Sequence, residues 1–357
     1  MTRHIVRVAL RLGVLPALVC AGPEIFAQGF GGTVADHLVR GDSLLAQKKG
    51  AEAIMQFQEA RTLCAEPDEI VSALEGEARG HLLQDEMLPA VGLLEEAATR
   101  FPDDPRASNL LFQAGSVSQS AGEFDKAIDL YRRALARNPT PDILPPLKLQ
   151  LALALRMTGR AGEAIEVLKD FEKDFPDHGL LPTALYQLAI ATHDLGGGKK
   201  KDRAKLEAAA AIYRKLIEKF PGKPATIEAH FEMGLLLSEL GRRAEGADYF
   251  TQYVSMNPTS AEAPAALEKA ADLLLLRSPK QSAQLYALAQ IKAKTNPKPT
   301  NPEWALTRWL PAKQRLADTL SSVWVLVILG LLVLGGMALV GRLVVRRIRK
   351  APAPAGA

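Results

Sequence analysis

The chain has 357 residues, of which 48% are apolar and 24% are charged, and its net charge at pH 7 is only +4. The basic excess lies near the two ends and the middle is close to balanced, which argues against nucleic acid as the main partner. Cys20 and Cys64 are its two cysteines. Removal of a leader that includes Cys20 would therefore leave Cys64 without a partner for an intrachain disulfide.

The first 27 residues have the pattern of a secretory signal peptide. Three arginines precede a short apolar run, and no acidic residue occurs before Glu24. The apolar run is too short to span a bilayer. We expect cleavage after Ala27, with Ala21 as the alternative position. An arginine-rich, acid-poor start also fits a mitochondrial transit peptide, and that reading stays open.

Residues 33–292 contain a pattern that recurs every 37 residues. A small residue marks each copy, a large apolar or aromatic residue follows four positions later, and a proline ends most copies. The small residues are Ala53, Ala90, Ala127, Ala164, Ala209, Gly246 and Ala283; the large ones are Phe57, Leu94, Tyr131, Leu168, Tyr213 and Phe250; the prolines are Pro102, Pro139, Pro176, Pro221 and Pro258. Residues three and four apart share one face of a helix, so each copy predicts a helix that the proline ends. One step is longer by eight residues, which predicts an insertion loop at 196–203.

An amphipathic run precedes each of these helices, and a glycine lies twelve positions before the small residue in three copies, at Gly41, Gly115 and Gly234. This pattern of helix A, turn and helix B resembles the tetratricopeptide repeat family. The turns are expected near Gly50, Gly122, Gly159, Gly196 and Gly241. The resemblance implies an all-α superhelical solenoid of about six to seven hairpins, because one hairpin cannot bury its apolar face alone. The seventh copy lacks the aromatic residue and the proline, and we expect it to be a cap.

A spacer, an apolar span and a basic tail follow the repeats. Residues 293–318 are expected to be a Pro-rich, membrane-proximal linker that sets the repeats off the bilayer. Residues 319–341 carry no charge, and their length suffices for one transmembrane helix. Residues 342–357 begin with a basic cluster, which favours a cytoplasmic C-terminus. Together with the leader, this predicts a single-pass protein of the bacterial inner membrane with periplasmic repeats.

The sequence contains no motif that predicts catalysis, a cofactor or a metal site. None of its six histidines lies four residues from another on one helix, and its two cysteines are far apart in the sequence. The stretch "GGGKKKDR" lacks the residue order of a phosphate-binding loop, and no strand is predicted before it. We therefore expect that the protein is not an enzyme and needs no cofactor.

The family resemblance implies a concave surface, formed by helices A, that binds protein partners. Long linkers such as "FPDDPRAS" look like those of bacterial envelope repeat proteins, which suggests a scaffold for envelope proteins. The expected contact residues are Asn109, Phe112, Gln119, Tyr186, His193, Glu228 and Phe231. Two alternatives stay open. One is a regulatory subunit whose transmembrane helix acts on a multi-spanning membrane complex, and the other is a tail-anchored repeat protein that faces the cytosol.

Overall fold

The computed structural model describes residues 32–198, 200–298, 310–322 and 331–333. Within these ranges the regular structure is entirely helical. The expected leader, the basic tail and most of the apolar span 319–341 lie outside the described residues. No helix formed by the described residues combines the length and the apolar content needed to cross a membrane.

The described residues divide into two compact units, with the boundary between residues 160 and 161. The helices of the first unit are α1 Val34–Ala46, α2 Gly50–Leu63, α3 Pro67–Leu83, α4 Met87–Arg100, α5 Ala107–Ser120, α6 Phe124–Leu135 and α7 Leu144–Met157. Each helix packs against the next one along the chain. In addition, α1 contacts α3 and α5 contacts α7, so helix A of one hairpin touches helix A of the next. The A helices therefore lie side by side, on the face that the family resemblance implies to be concave and that is called the inner side below.

The helices of the second unit are α8 Ala161–Leu168, α9 Phe171–Asp174, α10 Leu181–Gly196, α11 Arg203–Lys219, α12 Pro224–Glu239, α13 Arg243–Met256, α14 Ala263–Leu274, α15 Pro279–Thr295 and α16 Leu310–Ser321. From α10 onward, each helix again packs against its successor, and α10 also contacts α12. The predicted insertion is the loop between α10 and α11. Asp202 ends this loop as the N-cap of α11, where its carboxylate accepts bonds from the backbone N–H groups of Ala204 and Lys205.

The turns between helices A and B need a backbone with positive φ. Gly122, Gly159 and Gly241 supply it, with φ between 74° and 80°. In the first two hairpins Lys48 and Asp85 adopt this conformation instead, at φ 59° and 61°. The expected turn glycines Gly50 and Gly196 lie in helices α2 and α10. Gly50 is needed there for close packing, since a Cβ atom would lie 2.9 Å from the carbonyl oxygen of Gly80.

The repeated small and large residues meet in the core. Phe57, Tyr131, Tyr213 and Phe250 are at most 1% exposed. Glycines on helices A make room for three of these rings, because an added Cβ would lie 2.9 Å or less from them. The pairs are Gly41 with Phe57, Gly115 with Tyr131, and Gly234 with Phe250. Gly76 of the following helix A approaches Phe57 from a second side. The repeated glycines thus allow helix A to pack closely against the aromatic ring of helix B.

The last hairpin, α14 and α15, is followed by a further packed helix. Tyr286 fills the core position of the missing aromatic residue, one place earlier than the repeat pattern requires, and its hydroxyl donates to Asp272. Helix α16 packs on α15, with Leu310 and Ala317 fully buried. Residues 310–318 were expected to belong to a linker, whereas they form part of this helix. The reason is their spacing, which places both apolar side chains on one helical face.

Candidate functional site

The candidate residues of the first unit lie together on α5. Asn109, Phe112 and Gln119 are each partly exposed. The ring of Phe112 packs against Tyr131, with 5.9 Å between the ring centroids. The side chain of Gln119 donates to Gln150 of α7 at 3.0 Å and accepts from the Tyr131 hydroxyl at 3.1 Å. A buried tyrosine therefore holds both an aromatic ring and an amide in fixed positions on the inner side.

Polar pairs join neighbouring A helices of this unit, and sequence reasoning missed them. Arg79 of α3 donates to Asp42 of α1 at 2.8 Å. Arg106, at the start of α5, bonds Asp68 at 2.5 Å and Ser72 at 2.9 Å on α3. Asp42 and Arg79 are 37 residues apart. Opposite charges that are separated by one repeat could therefore have predicted this pair, because such residues lie at the same level of adjacent A helices.

In the second unit, Tyr186 and His193 lie on α10 and are partly exposed. The Tyr186 ring lies 6.4 Å from that of Tyr213. His193 Nε2 lies 3.4 Å from Glu239 Oε1, and the Lys201 ammonium lies 3.7 Å from the other oxygen of that carboxylate. This end of the A helices brings an imidazole, a carboxylate and an ammonium group together, which suits polar recognition.

Glu228 lies on α12, and its surface is exposed to solvent. Even so, partial desolvation and repulsion from Glu262 raise its pKa above the usual range for a glutamate. A carboxylate in this position gains from a cation nearby. Glu228 is therefore suited to meet a lysine or arginine from outside the chain.

Phe231, expected to contact a partner, belongs to the core instead. It is only 3% exposed, and its ring centroid lies 5.3 Å from those of both Phe250 and Tyr253. Phe112 lies three residues before Gly115 as Phe231 lies before Gly234, so the two have the same place in their repeats. The difference is that Tyr253 stands where the repeat of Phe112 has only the small Ala134. The extra ring covers Phe231.

The described residues hold no cluster of three or more His, Cys, Asp or Glu side chains placed to bind a metal ion. Cys64 is partly buried, and this burial together with Glu69 raises the pKa of its thiol. A thiol with a raised pKa is a poor nucleophile at neutral pH. The arrangement is thus one of aromatic rings, amides and paired charges, which are groups suited to binding.

The buried His230 makes stability depend on pH. Burial lowers its pKa, and its Nδ1–H donates to the Thr226 carbonyl at 2.7 Å. The neutral ring is favoured in the folded state, so this stability is present above the unfolded pKa of about 6.5 and is lost as pH falls. We expect the melting temperature to fall between pH 7.5 and 5.5, and to fall less in His230→Met. Thermal melts of both proteins across this range test it, and equal slopes would contradict it.

The hairpins of both units, with small residues of one helix facing large residues of the next, define an all-α helical-repeat protein. A family model described as "Tetratrico peptide repeat" matches residues 108–221, and a second, "Tetratricopeptide repeat", matches residues 227–260. The chain therefore contains tetratricopeptide repeats, and the two matches lie within residues 108–260.

Solved structures share this fold. The C-terminal part of a TPR repeat-containing protein from Cytophaga hutchinsonii is 15% identical, with a TM-score of 0.54 over 75% of this chain and 97% of that one. A tetratricopeptide repeat protein from Parabacteroides merdae is 16% identical, with a TM-score of 0.50 over 71% of this chain and 94% of that one. Among curated proteins, none matches the sequence. These similarities concern the fold, and the repeats imply a protein-binding scaffold.

Proposed function

We propose that the protein is a non-catalytic, membrane-anchored adaptor that binds proteins of the bacterial cell envelope through its A helices. The observation that carries this proposal is the set of partly exposed rings and amides that buried neighbours hold in place on the inner side. Residues 319–341 would anchor the chain in the inner membrane. The repeats would then face the periplasm, as the leader and the basic tail predict.

The first unit offers a preformed apolar and amide contact. The Phe112 ring rests on Tyr131, and Gln119 is fixed by two hydrogen bonds. Side chains that are already ordered lose little conformational entropy when a partner binds, so more of the contact energy appears as affinity. An aromatic ring that is half-exposed and rigid is a typical anchor of such contacts.

The second unit favours a partner segment with a basic group. Tyr186 provides an aromatic surface, and Glu228 carries a carboxylate whose ionisation is disfavoured beside Glu262. A lysine or arginine of the partner would offset this repulsion. We therefore propose that the partner presents an apolar side chain and a cation rather than a purely acidic segment.

Replacement of the two partly exposed rings tests the adaptor function. We expect Phe112→Ala with Tyr186→Ala to reduce capture of partners at least tenfold, since truncation of an aromatic anchor typically costs about 2 kcal/mol or more. Capture is measured in cells with a permeable outer membrane, using a cross-linker that cannot cross the inner membrane. Phe231 is left unchanged because its truncation would open the core.

Met55→Ala with Leu88→Ala is the matched control, because it removes two exposed apolar side chains from B helices α2 and α4. The control variant should retain full capture. Capture that survives in the double-ring variant would refute the role of the A helices. Capture that requires lysis of the inner membrane would instead favour a tail-anchored protein facing the cytosol.

A further inference from the structure

The turns from helix A to helix B lie at one edge of the second unit. Successive helices are antiparallel neighbours, so the turns after α10, α12 and α14 meet at the same edge. Contacts between them bear this out: Lys201 lies 3.7 Å from Glu239 at the end of α12, and Arg242 lies 3.6 Å from Glu207 of α11. Residues of the turns after α12 and α14 also line one common hollow. Residues far apart in sequence are thus gathered on one narrow surface.

This surface, here called the basic edge, is rich in cations. It consists of Lys200, Lys201, Arg203, Arg242, Arg243, Arg277 and Lys280. Within the described residues, Arg243, Arg277 and Lys280 form no ion pair, and all three are exposed. The corresponding turns of the first unit mix charges, with Lys48, Lys49 and Arg160 beside Asp85, Glu86 and Glu123. The turns of the first unit therefore carry as many acidic as basic side chains, whereas basic side chains outnumber acidic ones in the turns of the second unit.

The positions of these cations oppose the stability of the helices. Arg203 and Arg243 are the first residues of α11 and α13, and Lys280 is the second residue of α15. A helix N-terminus carries a partial positive charge and favours acidic residues in its first turn. Three successive B helices nevertheless begin with a cation. Asp202 caps α11 and Glu245 lies in the first turn of α13, so part of this cost is offset within the chain, and an external anionic surface would offset more of it.

The basic edge also contains a hollow of about 250 Å³ between the last two turns. Arg242, Arg243 and Arg277 line it together with Leu273, Leu276 and Glu245, whose carboxylate pairs with Arg242. Leu276 is 77% exposed. Guanidinium groups beside an exposed leucine match the interface of a bilayer, where anionic phosphates lie next to the ends of acyl chains.

The fold brings this unit close to the expected membrane span. Helix α16 packs on α15 and ends at Ser321, inside the apolar run that begins at Thr319. No spacer is left between the packed helix and the run. The Pro-rich segment 293–302 comes before α16, so it cannot hold the repeats away from the bilayer.

We propose that the basic edge of the second unit lies against anionic lipid headgroups of the membrane that anchors the chain. This inference rests on the membrane anchoring included in the proposed function. The exposed cations hold the repeats in one orientation at the surface, so that the A helices keep a fixed direction relative to the bilayer. Electrostatic attraction acts within about a Debye length, roughly 8 Å at physiological salt, and therefore requires direct proximity.

The test uses the full chain in nanodiscs of phosphatidylcholine alone or with about one third phosphatidylglycerol, which adds anionic headgroups. A water-soluble acetylating reagent labels the lysines, and mass spectrometry gives the rate at each one. We expect Lys200, Lys201 and Lys280 to react several-fold more slowly when the anionic lipid is present. Lys48 and Lys126 of the first unit should react equally in both.

A charge-reversal variant separates lipid charge from other protection. Arg243→Glu with Arg277→Glu should abolish the slower labelling. It should not lower the melting temperature, because an acidic residue at the start of α13 suits the helix dipole. Arg40→Glu with Lys49→Glu makes the same change of charge in the first unit and should leave the protection intact.

Equal labelling rates in the two lipid compositions would overturn the inference while leaving the anchor in place. Protection that appears only after a cell extract is added would also overturn it and would identify an acidic protein as the occupant of this edge. Failure of the chain to co-elute with nanodiscs would overturn the anchor, and with it both proposals.

Discussion

Gly76→Ala should destabilise the first unit by about 2 kcal/mol, although alanine is the better helix former. An added Cβ on α3 would lie 2.3–2.5 Å from three ring atoms of Phe57. That ring is 1% exposed and has Gly41 close on another side, so it has no space to move into. Overpacking of this kind costs about 1–3 kcal/mol, which exceeds the helix-propensity gain of about 1 kcal/mol.

Gly92→Ala is the matched control for this prediction. Gly92 lies inside α4, is exposed, and has no atom within 4 Å of an added Cβ. Only the propensity gain remains there, so we expect stabilisation by about 0.5–1 kcal/mol. Thermal melting of both variants, with hydrogen exchange of α2 and α3 to localise the effect, provides the measurement. A rise in melting temperature for both glycines would mean that α3 does not press on Phe57.

Arg61→Met should cost about 3 kcal/mol, because it leaves a buried charge without its counter-ion. Glu77 of α3 is 4% exposed and accepts bonds from Arg61 at 2.6 Å and Gln58 at 2.9 Å. Arg61 itself is about one-third exposed. The expected cost therefore comes mainly from the stranded carboxylate of Glu77 rather than from the lost attraction, and Gln58 alone does not offset it.

The double variant Arg61→Met with Glu77→Leu tests this explanation. Removal of both charges takes away the desolvation cost along with the ion pair, so stability should return to within about 1 kcal/mol of the original protein. Chemical denaturation of the single and double variants gives the coupling between the two sites. A double variant as unstable as Arg61→Met would show that the pair holds α2 and α3 by shape and not through charge.

The periodic spacing was sufficient to predict the hairpins, since it depends on contacts between residues close in sequence. Residues three and four apart must share a helical face, so the ladder of Ala127, Tyr131 and Ala134 predicted a packed helix B, and all three are fully buried. The insertion was located in the same way, because the step from Ala164 to Ala209 is eight residues longer than the others, and the loop between α10 and α11 lies within it. Family models and the structure agree on tetratricopeptide repeats.

Side-chain roles at equivalent positions were not predictable from spacing. Phe112 and Phe231 occupy the same place in their repeats, yet the first is partly exposed and the second is buried under Tyr253. Gly76 is not one of the repeated glycines Gly41, Gly115 and Gly234. It still contacts Phe57, because it belongs to helix A of the next hairpin. Such contacts depend on which side chains the neighbouring helix presents.

The sequence by itself determined the repeat, its period, the site of its insertion and the apolar run near the C-terminus, because each is a property of local spacing and composition. Only the tertiary structure decided that α16 packs on the last hairpin and that the cations of three turns gather on one edge. The physical reason is that both depend on how antiparallel helices stack, which brings together residues that are far apart in the chain.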